Sequence, residues 1–483
     1  MKKLRKTSGT ITLGTLTLGA LTLGTLSLTG CGNGQTDAAL SIQPVDLASP
    51  TPENQAEAAQ PESGECITLT LGTKESDWIL ESAVEAYNVQ NRQYHVEIVE
   101  YLPEVYDNAA AEAAMNRFCM DLATGKGTDI ILFDNLNADE LGHEGVVLDL
   151  YPFLTTEDIQ EKYLGNILEC ARTGNALYDI SPSFTLSFIA GDGSRIGWEN
   201  GWTMEEMLNS FAQNGRDGLA LAGAQGRTVV RLAAASMEDY INWDTGTADF
   251  CREEFYRVLE FGKTIDGSNY IRPTRESVSS GTHLASWEGL TTAADIQYLK
   301  WLFGDNMTVK GYPCSQGTGV AVSMAAGGSL GISASSRYPD GAWDFLEFYA
   351  DAAWTRRDYD AEGMIIHKDF SNHFPGFPIN RKLFEEMLAD STVQQYDPDS
   401  GKPIPLLQGE GEIPDFYANT PEDVEKIREI IALADRRYFP DQSAISQIIS
   451  EEISGYNAGV LTAEQTAQKI QNRVQLYLDE QKK

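Results

Sequence analysis

The sequence has few residues of the kinds that do chemistry at neutral pH. It contains five histidines and six cysteines in 483 residues, and they form neither an HExxH nor a CxxC pattern. The cysteines that follow Cys31 are scattered, with no spacing typical of metal ligands. The sequence therefore indicates neither a metal site nor a disulfide framework, and we expect no cofactor.

Three glycine-containing stretches come close to known catalytic or nucleotide-binding motifs. Residues 262–264 lack the upstream glycine of a phosphate-binding loop, and residues 191–197 miss the GxGxxG pattern by one position. Residues 327–331 match GxSxG, but that motif needs a helix directly after its serine. The residues after Ser329 predict a strand instead, so we expect Ser329 to lie in a turn and predict no catalytic residue.

Positive charge is also scarce. The chain carries 36 basic and 71 acidic residues, a formal net charge of −35. Such a field repels nucleic acid, so no nucleic-acid partner is expected. Apolar and charged contents of 42% and 22% are typical of a globular protein. With this many acidic residues close carboxylate pairs occur by chance, so a glycoside hydrolase stays open at this stage.

The N-terminal segment has the parts of a secretion signal. Residues 1–6 are basic, and residues 7–30 carry no charge. The segment ends in Leu28-Thr-Gly-Cys31, which resembles the lipobox of bacterial lipoproteins. The resemblance implies cleavage after residue 30 and a diacylglycerol on the Cys31 sulfur. A membrane-spanning helix is the alternative, because the run is just long enough to span, but its many Thr and Gly residues make it a weak one.

Residues 31–65 are predicted to be a disordered tether. They are rich in Ala, Gln, Pro, Ser and Glu and hold few large apolar residues, so they cannot bury enough surface to fold. A flexible chain of this length reaches roughly 30 Å. It would hold a folded body just off the extracellular face of the cell membrane.

The body opens with strands and helices in alternation. The pattern predicts strands at 66–71, 94–101 and 129–133, with helices at 77–90 and about 107–124 between them. This order is typical of a parallel sheet with crossover helices, in which ligands bind beyond the carboxyl ends of the strands. Five residues follow those ends and are predicted to bind the ligand: Thr73, Lys74, Glu75, Asp134 and Asn135.

A long extended segment, Leu177–Ile189, follows. Pro182 excludes it from the middle of a sheet, so we interpret it as a crossover between two lobes. Helices dominate to about residue 303, strands return at 308–334, and the end is helical. The sequence therefore predicts an α/β fold of two lobes with a hinge. The first lobe comprises 66–182 and 307–375, and the second comprises 183–306 and 376–483.

Further ligand contacts are predicted on the crossover and in the second lobe. Tyr178, Ser183 and Phe184 lie on the crossover, which must pass the floor of the cleft. Trp287 and Glu288 end an apolar stretch of the second lobe. An indole can stack on the apolar face of a sugar ring while carboxylates bind its hydroxyls. A core position is the alternative for Trp287, because aromatic bulk is usually buried.

The chain resembles extracellular solute-binding proteins of family 1, the maltose-binding-like lipoproteins of ABC importers. The stretches that carry the resemblance are 129–133 with 141–154, 176–184, 201–207, 311–317, 332–336 with 342–348, and 467–478. The resemblance covers residue 66 to the end. It implies a monomer without catalytic residues, whose lobes close on a sugar and present it to a membrane permease. A peptide or another small solute is an alternative ligand.

Replacement of Cys31 tests the anchor. The Cys31→Ala chain has no thiol to acylate, so it should remain an uncleaved precursor without lipid. Metabolic labelling with a radioactive fatty acid, followed by mass determination, checks this. Lipid incorporation equal to that of the unaltered chain would contradict the assignment.

Overall fold

The computed structural model of the protein describes most of the chain after residue 65. The described residues are 66–102, 108–133, 136, 138–215, 220–223, 227–242, 245–266, 272–324, 328–351, 376–398, 400–438 and 444–481. The chain divides into two units, Met1–Asp46 and Leu47–Lys483, and all described residues belong to the second. The predicted signal segment, Cys31 and the tether lie outside them.

Thirteen strands and sixteen α-helices lie in the described residues. The strands are β1 (Ile67–Thr73), β2 (Tyr94–Glu100), β3 (Ile130–Leu132), β4 (Ser183–Asp192), β5 (Leu221–Ala222), β6 (Ile241–Asn242), β7 (Thr247–Ala248), β8 (Ala285–Leu290), β9 (Met307–Val309), β10 (Val320–Ser323), β11 (Leu330–Ile332), β12 (Phe377–Pro378) and β13 (Ala434–Arg437). The helices are α1 (Trp78–Gln90), α2 (Asn108–Ala123), α3 (Ala138–His143), α4 (Gly165–Cys170), α5 (Gly193–Ile196), α6 (Met204–Asn214), α7 (Thr228–Ala235), α8 (Met237–Tyr240), α9 (Glu253–Asp266), α10 (Arg275–Ser279), α11 (Asp295–Phe303), α12 (Pro339–Ala350), α13 (Arg381–Ser391), α14 (Pro421–Ala432), α15 (Ala444–Asn457) and α16 (Ala463–Gln481).

The first sheet has the strand order β11-β3-β1-β2. Strand β1 pairs in parallel with both β2 and β3, which confirms the predicted parallel sheet. The short strand β3 is buried on both faces, because Ile130 packs toward one apolar cluster and Ile131 toward another. Helix α2 lies close against the sheet at Gly72, where a Cβ would collide with Phe118 and Thr128.

The crossover changes sheets within three residues. Ile180 forms a bridge with Leu330 of β11 in the first sheet, and Ser183 begins β4 of the second. Pro182 lies between them, where a missing N–H removes no ladder bond. Its carbonyl still accepts a hydrogen bond of 3.0 Å from Ile379. The structure therefore confirms that this extended segment passes from one sheet to the other. The expectation that Pro182 keeps the segment out of the middle of a sheet is wrong for residues 183–189, which lie in the central strand β4, because the proline precedes the first paired residue.

The second sheet is built around β4, in the order β13-β10-β4-β8-β5, with β9 and β12 also paired to β4. One part of the predicted lobe division differs from this pairing. Strands β9 and β10 were expected with the first lobe, but both pair antiparallel with β4 in the second sheet. Strand β11 pairs with β3 of the first sheet, so the 307–332 segment contributes to both sheets.

Two large apolar clusters cover the faces of β4. Even-numbered residues such as Phe184 and Phe188 enter a cluster that also contains residues of the first sheet, which we call the main core. Ile189 enters the other cluster, which is formed with residues of α6, α7, α9, α15 and α16 and is called the second core. The alternation follows from the period of two in a strand. The main core is thus continuous from one sheet to the other.

The five cysteines after Cys31 are free thiols. Cys66 and Cys251 are exposed, whereas Cys170 and Cys314 are buried. Burial raises the pKa of Cys170 to about 12 and that of Cys314 to about 11, which keeps both sulfurs protonated at neutral pH. Within the described part of the chain, no helix has both the length and the apolar composition needed to cross a membrane.

Candidate functional site

The carboxyl ends of two neighbouring parallel strands meet at one edge of the first sheet. Leu71 lies beside Ile130 and Gly72 beside Ile131, so the chain leaves β1 next to the point where it leaves β3. The predicted common edge is therefore confirmed. Asp134 and Asn135 lie outside the described residues, and their role as ligand contacts stays a prediction.

The turn after β1 separates the three residues predicted there. Thr73 is fully buried, and its hydroxyl donates a hydrogen bond of 2.9 Å to the Glu75 carbonyl. The Thr73 and Lys74 carbonyls accept hydrogen bonds from the N–H groups of Tyr101 and Leu102, at 3.1 and 3.0 Å. Lys74 is half-buried and Glu75 exposed. Thr73 therefore fixes the turn, while the other two side chains reach solvent at the edge.

The crossover residues occupy different environments. Tyr178 is half-buried against α3, where a Cβ on Gly142 would collide with its ring. Burial and the nearby carboxylates of Asp149 and Asp139 raise the Tyr178 pKa. Ser183 and Phe184 are both fully buried, and the Phe184 ring lies 5.9 Å from that of Phe377. Phe184 is thus a core residue, with no surface for a ligand in this conformation.

Trp287 and Glu288 point to opposite faces of β8. In the antiparallel register with β4, Trp287 lies beside Ile189 and Glu288 beside Phe188. Ile189 belongs to the second core and Phe188 to the main core. The two residues were predicted to share one site, but consecutive strand residues alternate between faces, so only one of them can contribute to a site on a given face.

Trp287 belongs to an aromatic cluster, which we define as Trp287, Tyr312 and Tyr438. The ring centroids of Trp287 and Tyr312 are 5.2 Å apart, and those of Tyr312 and Tyr438 are 6.5 Å apart. Tyr312 is buried, whereas the other two rings are half-buried. Tyr312 therefore backs two partly exposed rings. The sequence offered a signal for Tyr312 in its Gly-Tyr-Pro stretch but none for Tyr438.

Two polar groups accompany the aromatic cluster. The Arg231 guanidinium carbon lies 5.9 Å from the centroid of the Trp287 ring, and Arg231 Nη1 donates to the Gly223 carbonyl at 3.2 Å. The Trp287 indole Nε1 is buried and has no hydrogen-bond acceptor among the described residues. An indole N–H can only donate, so a ligand or water oxygen at this point would remove the cost of leaving it unpaired.

The aromatic cluster lies next to a contact between the two sheets. Tyr438 directly follows β13, and its N–H donates to the Val322 carbonyl at 2.7 Å. The preceding residue, Arg437, is 3.3 Å from the Asp139 carboxylate of α3 and 3.0 Å from that of Asp179 on the crossover. Helix α3 begins just beyond the polar edge of the first sheet. The two sheets are thus linked at Arg437, the residue before Tyr438 of the aromatic cluster.

The carboxyl group of Glu288 has a raised pKa. Burial raises its pKa to about 7; Asp295 adds to the rise, while Ser286 and Arg272 oppose it. Burial likewise raises the pKa of Asp295, which accepts hydrogen bonds from Thr291 and Thr292. Raised carboxyl pKa values also occur in glycosidase sites. Here Glu288 faces the main core rather than the aromatic cluster.

Comparisons with known proteins bear on the fold. No protein-family model and no curated protein matches the sequence. Among solved structures, a periplasmic oligogalacturonide-binding protein from Yersinia enterocolitica matches with a TM-score of 0.51 and 13% identity, covering 86% of this chain and 100% of the other. The chain has the fold of an extracellular solute-binding protein. The resemblance found in the sequence is thus confirmed at the level of the fold.

Two other solved structures are also similar to this chain. A structure described as a de novo designed cysteine esterase has a TM-score of 0.50 at 14% identity, covering 86% of this chain and 98% of the other. An extracellular solute-binding protein of family 1 from Alicyclobacillus acidocaldarius has a TM-score of 0.47 at 15% identity, with coverages of 86% and 100%. At these identities the likeness concerns the fold and carries no information on activity.

The acidity of Glu288 predicts a pH-dependent stability. Its pKa is raised on folding, so the folded state holds a proton that the unfolded chain has lost. The resulting destabilisation is absent below about pH 4, grows as pH rises, and is complete above about pH 7. Glu288→Gln should therefore raise the free energy of unfolding by about 1–2 kcal/mol at pH 8 and change it little at pH 4.

Denaturant unfolding at the two pH values checks this prediction. Glu97→Gln, at an exposed position of β2, is the matched control and should leave both values close to those of the unaltered chain. An equal effect of Glu288→Gln at both pH values would contradict the prediction.

Proposed function

We propose that the protein is a lipid-anchored, extracellular substrate-binding protein of an ABC transporter. It captures a mono- or oligosaccharide between its two lobes and delivers it to the permease. The observation that carries the proposal is the half-buried Trp287 ring, which is backed by Tyr312 and has a buried indole N–H without an acceptor among the described residues. In the proposed closed form, the two lobes cover this ring.

The two walls of the junction suit the two kinds of surface on a sugar. A pyranose ring has an apolar face that stacks on an aromatic ring, and hydroxyl groups that both donate and accept hydrogen bonds. Trp287 and Tyr438 supply rings, and the buried indole N–H supplies a donor. Lys74 and Glu75 at the first-sheet edge supply a donor and an acceptor. Pockets with an apolar wall and a few convergent polar groups are typical of small-molecule sites.

The N-terminal segment supports the proposed lipid anchor and extracellular location. The uncharged run that ends at Cys31 supports export and lipidation, and the predicted 31–65 tether supports a body held near the membrane. The similar Yersinia protein is described as binding oligogalacturonides, which supports a carbohydrate as the ligand class. Delivery to a permease follows from this class of function, and no catalytic residue is needed for it.

The alternatives make different demands on the site. A glycoside hydrolase needs two carboxyl groups on either side of the sugar. The pair with raised pKa values, Glu288 and Asp295, is on the main-core side of β8, away from the aromatic cluster. A peptide or other solute remains an alternative ligand, and the experiment below separates these cases.

Substitution of Trp287 tests the sugar site. A thermal-shift screen with neutral and acidic mono- and oligosaccharides should find at least one that raises the Tm, because ligand that binds only the folded state stabilises it. Trp287→Ala should weaken that ligand by about 1–3 kcal/mol, the range seen for aromatic stacking on other flat rings. Isothermal titration calorimetry measures the affinity, and the recovered sugar should be chemically unchanged.

Trp343→Ala is the matched control. The Trp343 ring stacks on Phe153 at 5.6 Å on α12, so its loss should lower the Tm without changing affinity. If Trp287→Ala leaves the affinity untouched, or collapses the fold at a cost of about 3–5 kcal/mol, Trp287 is a core residue rather than a platform. Release of reducing ends would favour the hydrolase, and stabilisation by peptides alone would exclude a sugar.

A further inference from the structure

Arg437 has three partners at the junction of the sheets. Its Nη1 donates to the Ala171 carbonyl at 2.7 Å and lies 3.3 Å from Asp139 Oδ1. Its Nη2 donates to Asp179 Oδ1 at 3.0 Å. One guanidinium therefore joins three separate segments of chain, and its planar fork suits such divided contacts better than a lysine would.

The partners of Arg437 come from different parts of the fold. Arg437 ends β13, an edge strand of the second sheet. Asp139 lies in the first turn of α3, which packs through Ala138 against the outer face of the first sheet. Asp179 lies on the crossover between the sheets, and Ala171 directly follows α4. Among the contacts that Arg437 makes with described residues, the one with Asp139 runs from the second sheet to an element covering the first.

The charged partners in these contacts are largely shielded from water, so the loss of one partner affects the other. The side chain of Asp179 is 3% exposed, that of Asp139 18% and that of Arg437 20%. Burial alone would lower the Arg437 pKa, but the two carboxylates outweigh it and raise the pKa. A half-buried pair is screened by salt less than a surface pair, and removing one partner leaves the other charge poorly solvated.

A second line of contacts supports the same junction. The Thr173 hydroxyl donates to Asp139 Oδ1 at 2.6 Å, which holds that carboxylate toward Arg437. Glu140 of α3 and Glu144, which directly follows that helix, act electrostatically on Tyr477 of α16, a helix of the second core. Burial and these two carboxylates raise the Tyr477 pKa to about 12. Helix α3 thus faces the second lobe at two places.

We propose that Arg437 is an ionic clamp that fixes the orientation of the two lobes, with two arms of different function. The Asp179 arm ties β13 to the crossover and persists when the lobes move. The Asp139 arm must break when α3 moves away from β13, so it sets how readily the lobes separate. Because Tyr438 follows Arg437, the clamp also fixes one ring of the aromatic cluster.

The test uses cysteines that the chain already has. Cys66 precedes β1 in the first lobe, Cys251 precedes α9 in the second, and both are exposed. Spin labels on this pair report the lobe-to-lobe distance by double electron–electron resonance. The background chain carries Cys31→Ser and Cys119→Ser, and the buried Cys170 and Cys314 are checked for absence of label by mass spectrometry.

Asp139→Asn is the decisive variant, because it removes the charge on α3, which covers the first sheet, and leaves the buried Asp179–Arg437 pair intact. We expect its ligand-free distance distribution to be broader and shifted to longer distances, while the Tm falls by no more than about 4 °C. Thr173→Val, which removes the hydroxyl that holds Asp139, should shift the distribution in the same direction by less.

Glu452→Gln is the matched control. Glu452 pairs with Arg473 at 2.9 Å between α15 and α16, within the second core, so its loss should leave the distance distribution unchanged. If Asp139→Asn and Thr173→Val give the same spin-label distance distribution as the background chain, the proposed clamp is wrong. The readout needs no ligand, so it stands or fails independently of the proposed sugar binding.

Discussion

The chain changes from the first sheet to the second between Ile180 and Ser183, and this passage ties the two sheets together. Ile180 exchanges hydrogen bonds of 3.0 and 2.9 Å with Leu330 of the first sheet, and three residues later the chain enters β4, the central strand of the second. Ile180 and Ser183 are both fully buried. Because one short segment serves both sheets, the apolar cluster around it is shared by the two lobes.

This shared core determines where polar groups can lie. Asp179, next to Ile180, is almost fully buried and is compensated by Arg437, which reaches it from the far edge of the second sheet. The same contact brings Tyr438 close to the junction, where it joins Trp287 through Tyr312. The parallel pairing of β1 with β3 places the turn that holds Lys74 and Glu75 at the edge of the first sheet where β3 also ends.

Local patterns in the sequence predicted much of the fold. Alternation and helical spacing located β1 to β3 and the helices between them, and Pro182 marked the crossover, because these signals reside in consecutive residues. The strand directly after Ser329 is present as predicted, and β11 begins at the next residue. The pairing of β9 and β10 with β4 could not be read locally, since strands distant in sequence form it.

The candidate site was predicted less completely, for identifiable reasons. The opposite orientation of Trp287 and Glu288 follows from strand alternation and could have been inferred from the sequence. The core position of Phe184 also fits the alternation of β4, whose other even-numbered residues are buried beside it. Tyr438 and Arg437 carried no signal, because their partners, such as Tyr312, Asp139 and Asp179, are separated from them by more than a hundred residues.

A crystal structure of the protein with the sugar that most raises its Tm tests the proposed binding site. We expect one ligand between the lobes, with a ring stacked on Trp287 or Tyr438 and hydroxyl groups within hydrogen-bond distance of Lys74 or Glu75. Ligand density confined to the outer surface of either lobe, or contacts from one lobe alone, would contradict it.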